Sequence, residues 1–196
     1  SDAATLVRPA NLRGLAPDHT LMLVNGKRRH RASVITWLGN GISNGSQGPD
    51  AAAIPALALK RIEVLRDGAS AQYGSDAIAG VMNFVLNDAR EGGSVGVRYG
   101  EYKEGDGEQV TIAGNIGLPL GDSGFLNLTA EWGESDPTSR SEQRADAQSL
   151  IDDGYQGVPA PAMIWGRPIV NDDMKLWANF GVDLSDTLEL YGHANY

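Results

Sequence analysis

The strongest constraint on the fold is a strict alternation of apolar and polar residues after residue 93. Val95, Val97 and Tyr99 share one phase, with Ser94 and Arg98 in the other. Val110, Ile112 and Ile116 alternate with Thr111, Ala113 and Asn115, and Leu126, Leu128, Ala130 and Trp132 with Asn127, Thr129 and Glu131. Leu176, Ala178, Phe180, Val182 and Leu184 alternate with Lys175, Asn179 and Asp183, and Leu188, Leu190, Ala194 and Tyr196 with Glu189, His193 and Asn195. A period of two is what the pleat of a β-strand imposes. Five such segments of roughly nine or ten residues have the length of tilted membrane strands. The connections at 101–108, 118–124, 133–174 and Ser185-Asp186 alternate long and short. Membrane barrels show that alternation between outer loops and inner turns. A soluble sheet with one wet face also alternates, so the pattern alone leaves a soluble sandwich open.

The first ninety residues read differently. Thr20 to Val24 is a compact strand candidate ended by the turn pair Asn25-Gly26. Lys27-Arg28-Arg29-His30-Arg31 is a basic run, either a solvated loop or a surface for an anionic partner. Ala51 to Leu59 reads as a short helix near Pro55. Lys60 to Asn87 then holds two strand-like runs, Ile62–Leu65 and Val81–Leu86, joined by a stretch rich in Gly and Ala. Such a joint points to a close approach of backbones.

Charge places a boundary near residue 90. Residues 1–90 hold ten Lys/Arg against seven Asp/Glu, and residues 91–196 hold six against eighteen. The overall charge of −9 argues against nucleic acid, which needs a basic footprint. The 25 glycines, about 13% of residues against a usual ~7%, favour a turn-rich β protein. There is no cysteine, so neither disulfides nor thiolate metal sites exist. No run of eighteen apolar residues is present, so no transmembrane helix is expected.

The stretch RIEVLRDGASAQYGSDAIAGVMNFVL, from Arg61, resembles the late plug-domain signature of TonB-dependent outer-membrane receptors. TLMLVNGKRRH, from Thr20, resembles the earlier strand of the same plug, and the likeness spans roughly Asn11 to Asp88. Asp67-Gly68 departs from the commoner Gly-Pro, and a turn survives either choice. The resemblance implies an α+β plug domain followed by antiparallel β-strands of an incomplete transmembrane β-barrel. It divides the chain into a partial plug, 1–90, and the first five barrel strands, 91–196, with a long extracellular loop at 133–174. Residues 1–20 hold no segment like the family's TonB box, and no secretory leader, so the chain is expected to be a trimmed or partial one.

The implied function is energy-coupled uptake of a scarce small-molecule nutrient, a siderophore, vitamin or oligosaccharide, across the outer membrane. The implied partners are the TonB–ExbB–ExbD complex, the nutrient and outer-membrane lipid, with no cofactor and no metal site. By the same resemblance the loop after the first strand reaches the outward side, making Arg29, His30, Trp37, Asn40 and Asn44 the expected ligand contacts. Trp37 has an equal reading as a core anchor. Plug arginines of the family lock onto barrel carboxylates. Here that implies Arg61 and Arg66, with Glu63 beside them and Glu131 as a partner inside this chain.

Catalytic patterns are poor. The histidines at 19, 30 and 193 have no metal-ligand spacing, and Ser70 and Ser75 lack the nucleophile frame. No enzyme is expected. The alternative is a soluble extracellular β-rich glycan-binding module, which requires the apolar phases to turn inward.

Overall fold

The computed structural model describes residues 7–36, 44–66, 69–163 and 166–196 and builds two sheets. The first has four strands in the order β2-β1-β4-β3. They are β1 (Thr20–Val24), β2 (Lys27–Arg28), β3 (Leu59–Leu65) and β4 (Gly80–Leu86). β1 is buried along its whole length and runs parallel to β4, Thr20 against Gly80 through Val24 against Phe84. Covering on both faces explains its unbroken apolar run. Met22 and Val24 join Ile54, Ala58, Phe84 and Leu86 in one core, while Leu21 and Leu23 join Ala77 and Val81 in the other. Asn25 and Gly26 both have positive φ, 48° and 76°, and return the chain into β2. Tight hairpins favour this pair for that reason.

The residues between β3 and β4 fold as the short helix α1 (Ala69–Tyr73) and a 3-10 turn at Ser75–Ala77. Gly80 then enters β4 at φ 141°, where a Cβ would come within 2.5 Å of the Leu65 carbonyl oxygen. This is the close approach that the small-residue joint calls for.

Residues 51–59 correct an expectation. In place of one helix there are two 3-10 turns, Ala51–Ala53 and Ala56–Ala58, on either side of a fully buried Pro55. Proline disfavours helical geometry in the residue before it, and Ile54 is extended at φ −105°, ψ 110°.

The second sheet is an antiparallel meander in the order β5-β6-β7-β8-β9. Its strands are Gly93–Gly100, Gln109–Leu120, Gly124–Ser135, Val170–Ser185 and Leu188–Asn195. The sheet does not close, so β5 and β9 are its edges. The connections at 101–108 and 136–169 share one end, and the short turns at 121–123 and 186–187 share the other. The long connection is narrower than 133–174 because both flanking strands continue past a register shift between Gly133 and Ser135. It carries α2 (Ala145–Asp152), and Arg140 near its start pairs with Glu104 and Asp106 of the first long connection.

The two phases of the strands face opposite surroundings. Val95, Val97, Ile112, Leu128, Leu176 and Leu190 are exposed. Ala113, Asn115, Asn127, Thr129, Trp177 and Asn179 are buried. The apolar phase points away from the first sheet and the polar phase packs toward it. At the junction, a side chain on Gly117 would overlap the Ala89 carbonyl, and Gly117 N–H donates to Gly92 at 2.9 Å. Arg90 donates to the Asp122 carbonyl in the adjoining short turn at 2.7 Å.

Val95 is 81% exposed and Val97 71%, which is costly in water. The isolated chain is expected to aggregate in plain buffer and to become monodisperse in mild detergent, as read by light scattering. A monodisperse, detergent-free monomer would contradict this arrangement.

Candidate functional site

The two sheets meet along a seam of side-chain amides. Asn25 accepts from Leu86 N–H at 2.8 Å and donates to Asn179 Oδ1 at 3.1 Å. Asn179 donates to the Asn87 carbonyl at 2.9 Å. Asn87 donates to Asn115 Oδ1 at 3.2 Å, and Asn115 donates onward to Asn127 Oδ1 at 2.6 Å and Thr129 Oγ1 at 2.8 Å. Asn127 closes the seam on the Ala89 carbonyl at 3.5 Å. An amide both donates and accepts, so it can join a backbone group to another amide. It does so without the desolvation cost of a buried charge.

Toward the end of the sheet that carries the long connections, the contact changes character. Trp177 of β8 is 4% exposed and completes the first core of the four-stranded sheet, beside Met22, Ile54 and Phe84. Its ring N–H donates to the Ala53 carbonyl at 2.9 Å. His193 stacks with it, centroids 6.2 Å apart and planes 13° off parallel. The Arg29 guanidinium stands 5.2 Å from the ring centroid and donates to Asn195 Oδ1 at 2.7 Å. Arg29 is half-buried, and loss of solvent lowers its pKa, with Asp50 opposing.

The basic run is thus divided among different partners. Lys27 lies 5.9 Å over Tyr191, and Arg28 pairs with Asp76 at 2.5 Å and donates to the Tyr73 carbonyl. His30 is exposed and lines a cavity of about 310 Å³ with Val7, Arg29, Val34, Asp50 and Ala53. A second cavity of about 490 Å³ opens between the Asp50–Ala53 loop and β8, edged by Arg8, Arg167, Asp173 and Lys175.

Of the expected ligand contacts, Arg29 and His30 are neighbours lining the smaller of these cavities, and Asn44 is exposed in a turn. Trp37 and Asn40 lie outside the described residues. Of the expected lock, Arg61 bonds Glu63 on its own strand at 2.8 Å, and Arg66 is exposed. Glu131 is not brought to either arginine. It lies directly opposite Lys175 in the β7–β8 register and pairs with it at 2.7 Å. The cross-strand neighbour wins because register holds it in reach at no further ordering cost. The asparagine seam and Trp177 were not anticipated. Their signal was an amide repeated in one strand phase, and a lone Trp between Lys175 and Asn179 in that phase.

Residues 3–81 match the family description TonB-dependent Receptor Plug Domain. The chain carries the plug domain of a TonB-dependent receptor, followed by strands of an unclosed barrel. It is similar to the ferrienterobactin receptor of Escherichia coli, 32% identical over 180 residues, covering 85% of this chain and 22% of that protein. It is also similar to a probable TonB-dependent siderophore receptor of Acinetobacter baumannii, 39% identical over 80 residues, 40% of this chain and 10% of the relative. A ferric enterobactin receptor from Pseudomonas aeruginosa, solved in complex with enterobactin, superposes with a TM-score of 0.62 at 21% identity. That match covers 93% of this chain and 26% of the other, and shows the fold. The chain therefore spans about a quarter or less of the proteins it matches.

Two outcomes follow for the plug. Asn179→Leu strips a partner from Asn25 and from the Asn87 carbonyl, at about 1–3 kcal/mol for each buried group left unpaired. The plug's melting midpoint should fall, and exchange of the backbone amides at 25–27 and 86–89 should rise. Glu63 accepts from Asn83 and from Arg61, in that order of weight, which holds its carboxyl below the usual range. With the folded pKa depressed, its contribution is present above the unfolded value and is lost as pH falls through the folded one. Carboxyl NMR titration should find Glu63 ionising below other exposed glutamates, and Asn83→Ala should move it back up.

Proposed function

We propose that this chain is the plug and first wall strands of an outer-membrane receptor that takes up a ferric siderophore. Energy for uptake comes from the TonB–ExbB–ExbD complex acting on the plug. The observation that carries the reading is the inversion of the wall: apolar residues face out, where membrane lipid covers them, and polar residues face the plug. A soluble glycan-binding module requires the reverse. The siderophore class is favoured over a vitamin or oligosaccharide because the similar receptors are named for ferric enterobactin or siderophores.

In this reading the ligand meets the outer edge of the plug at Arg29, His30 and Asn44, and Trp37 and Asn40, between them in sequence, are proposed as further contacts. A ferric catecholate is anionic, which suits a loop of three arginines, a lysine and a histidine at 27–31. Arg61, Glu63 and Arg66 are exposed on or beside the edge strand β3. Arg61 and Arg66 engage acids on the wall strands that complete the barrel, and Glu63 holds Arg61 in place beside them.

The test is growth of an iron-starved receptor-deletion strain carrying the intact protein, with ferric enterobactin and other ferric siderophores offered singly. Restored growth and saturable uptake are expected for at least one catecholate. His30→Ala should weaken its binding roughly tenfold, about the loss of one hydrogen bond to a charged group. Uptake of none of the ferric siderophores would overturn the reading.

A further inference from the structure

We propose that Arg29 and Trp177 form a clasp between plug and wall that an anionic ligand opens by drawing the guanidinium away. This rests on the receptor reading above and adds how ligand occupancy reaches the plug–wall contact. The Arg29 guanidinium has two contacts with the wall, its face over the Trp177 ring and one N–H on Asn195 Oδ1. Both partners are neutral, and the carboxylate that acts on the guanidinium from the cavity wall, Asp50, already accepts from the Arg8 and Ala52 N–H groups. The same side chain lines the cavity that His30 borders, so an oxygen anion seated there competes for it. A charge-assisted hydrogen bond is stronger than one to a neutral amide. The ligand thus has the differential interaction with two states that a conformational shift requires.

The clasp also has the leverage to matter. Trp177 lies in the plug's own core and holds the Ala53 carbonyl, so it fastens the 50–54 loop as well as the 27–31 loop. These contacts join residues 124 and 166 positions apart in the chain. The amide seam is different, because Asn87 and Ala89 stand beside the covalent junction with β5. Opening the clasp frees the plug's outer edge while the junction side stays fastened.

The experiment uses full-length receptor and ferric enterobactin as the probe. Asn195→Ala and Trp177→Leu remove one partner of Arg29 each and should tighten binding several-fold, because the guanidinium is released to the ligand. Arg29→Ala should weaken binding tenfold or more, with Arg29→Lys between. Hydrogen exchange without ligand should rise at 27–31 in both wall variants and at 50–54 in Trp177→Leu, and the probe should raise it at both places in the wild type. Weaker binding in both wall variants, in step with lost thermal stability, overturns the switch and leaves a structural contact. Exchange at 27–31 unchanged by either variant removes the clasp itself. Binding of no siderophore overturns the receptor reading and the switch with it.

Discussion

A polar group that the wall turns toward the plug has to find a partner where little water reaches. That demand organises the interface between the two sheets. Charges meet it poorly, since each must be desolvated before it is paired. Neutral amides meet it well, and five asparagines together with Thr129 satisfy one another and three backbone carbonyls across the seam. The charged group that stands on this face, Lys175 with Glu131 and Asp173, is formed within the wall. The plug is therefore held by contacts whose strength depends little on salt.

Burial follows the same division. The plug's first core is incomplete without Trp177, which the wall supplies. The wall's polar phase is unsatisfied without the plug, which supplies the Asn87 and Ala89 carbonyls. Neither sheet is a self-contained unit, and among the described residues none covers the apolar phase of the wall. The arrangement suits a sheet with lipid on one side and a folded stopper on the other.

Much of this was legible in the sequence because the pleat enforces a period of two and the two faces see opposite solvents. The phases of all five wall strands could be read from Val95 to Tyr196, as could β1 from an apolar run closed by Asn25-Gly26. What escaped needed a third dimension. Three alanines before Pro55 look helical, but the proline keeps Ile54 extended. Gly133 and Glu134 look like loop, yet the strands go on pairing there. Arg61 and Glu131 look complementary, yet register gives Glu131 to Lys175. Arg29 is one of several cations in a row, and only the fold shows that it alone among them reaches Trp177. The asparagines carry no charge or motif to mark them, so their value appears only once the neighbours are known.

The linker between the sheets has a geometric consequence. Six residues, 87–92, separate the end of β4 from the start of β5, and Arg90 binds the carbonyls of the adjoining short turn at Gly121 and Asp122. Fully stretched, so short a leash reaches about 20 Å. The C-terminal corner of the first sheet therefore stays within that radius of the short-turn end of the second, however the rest of it moves.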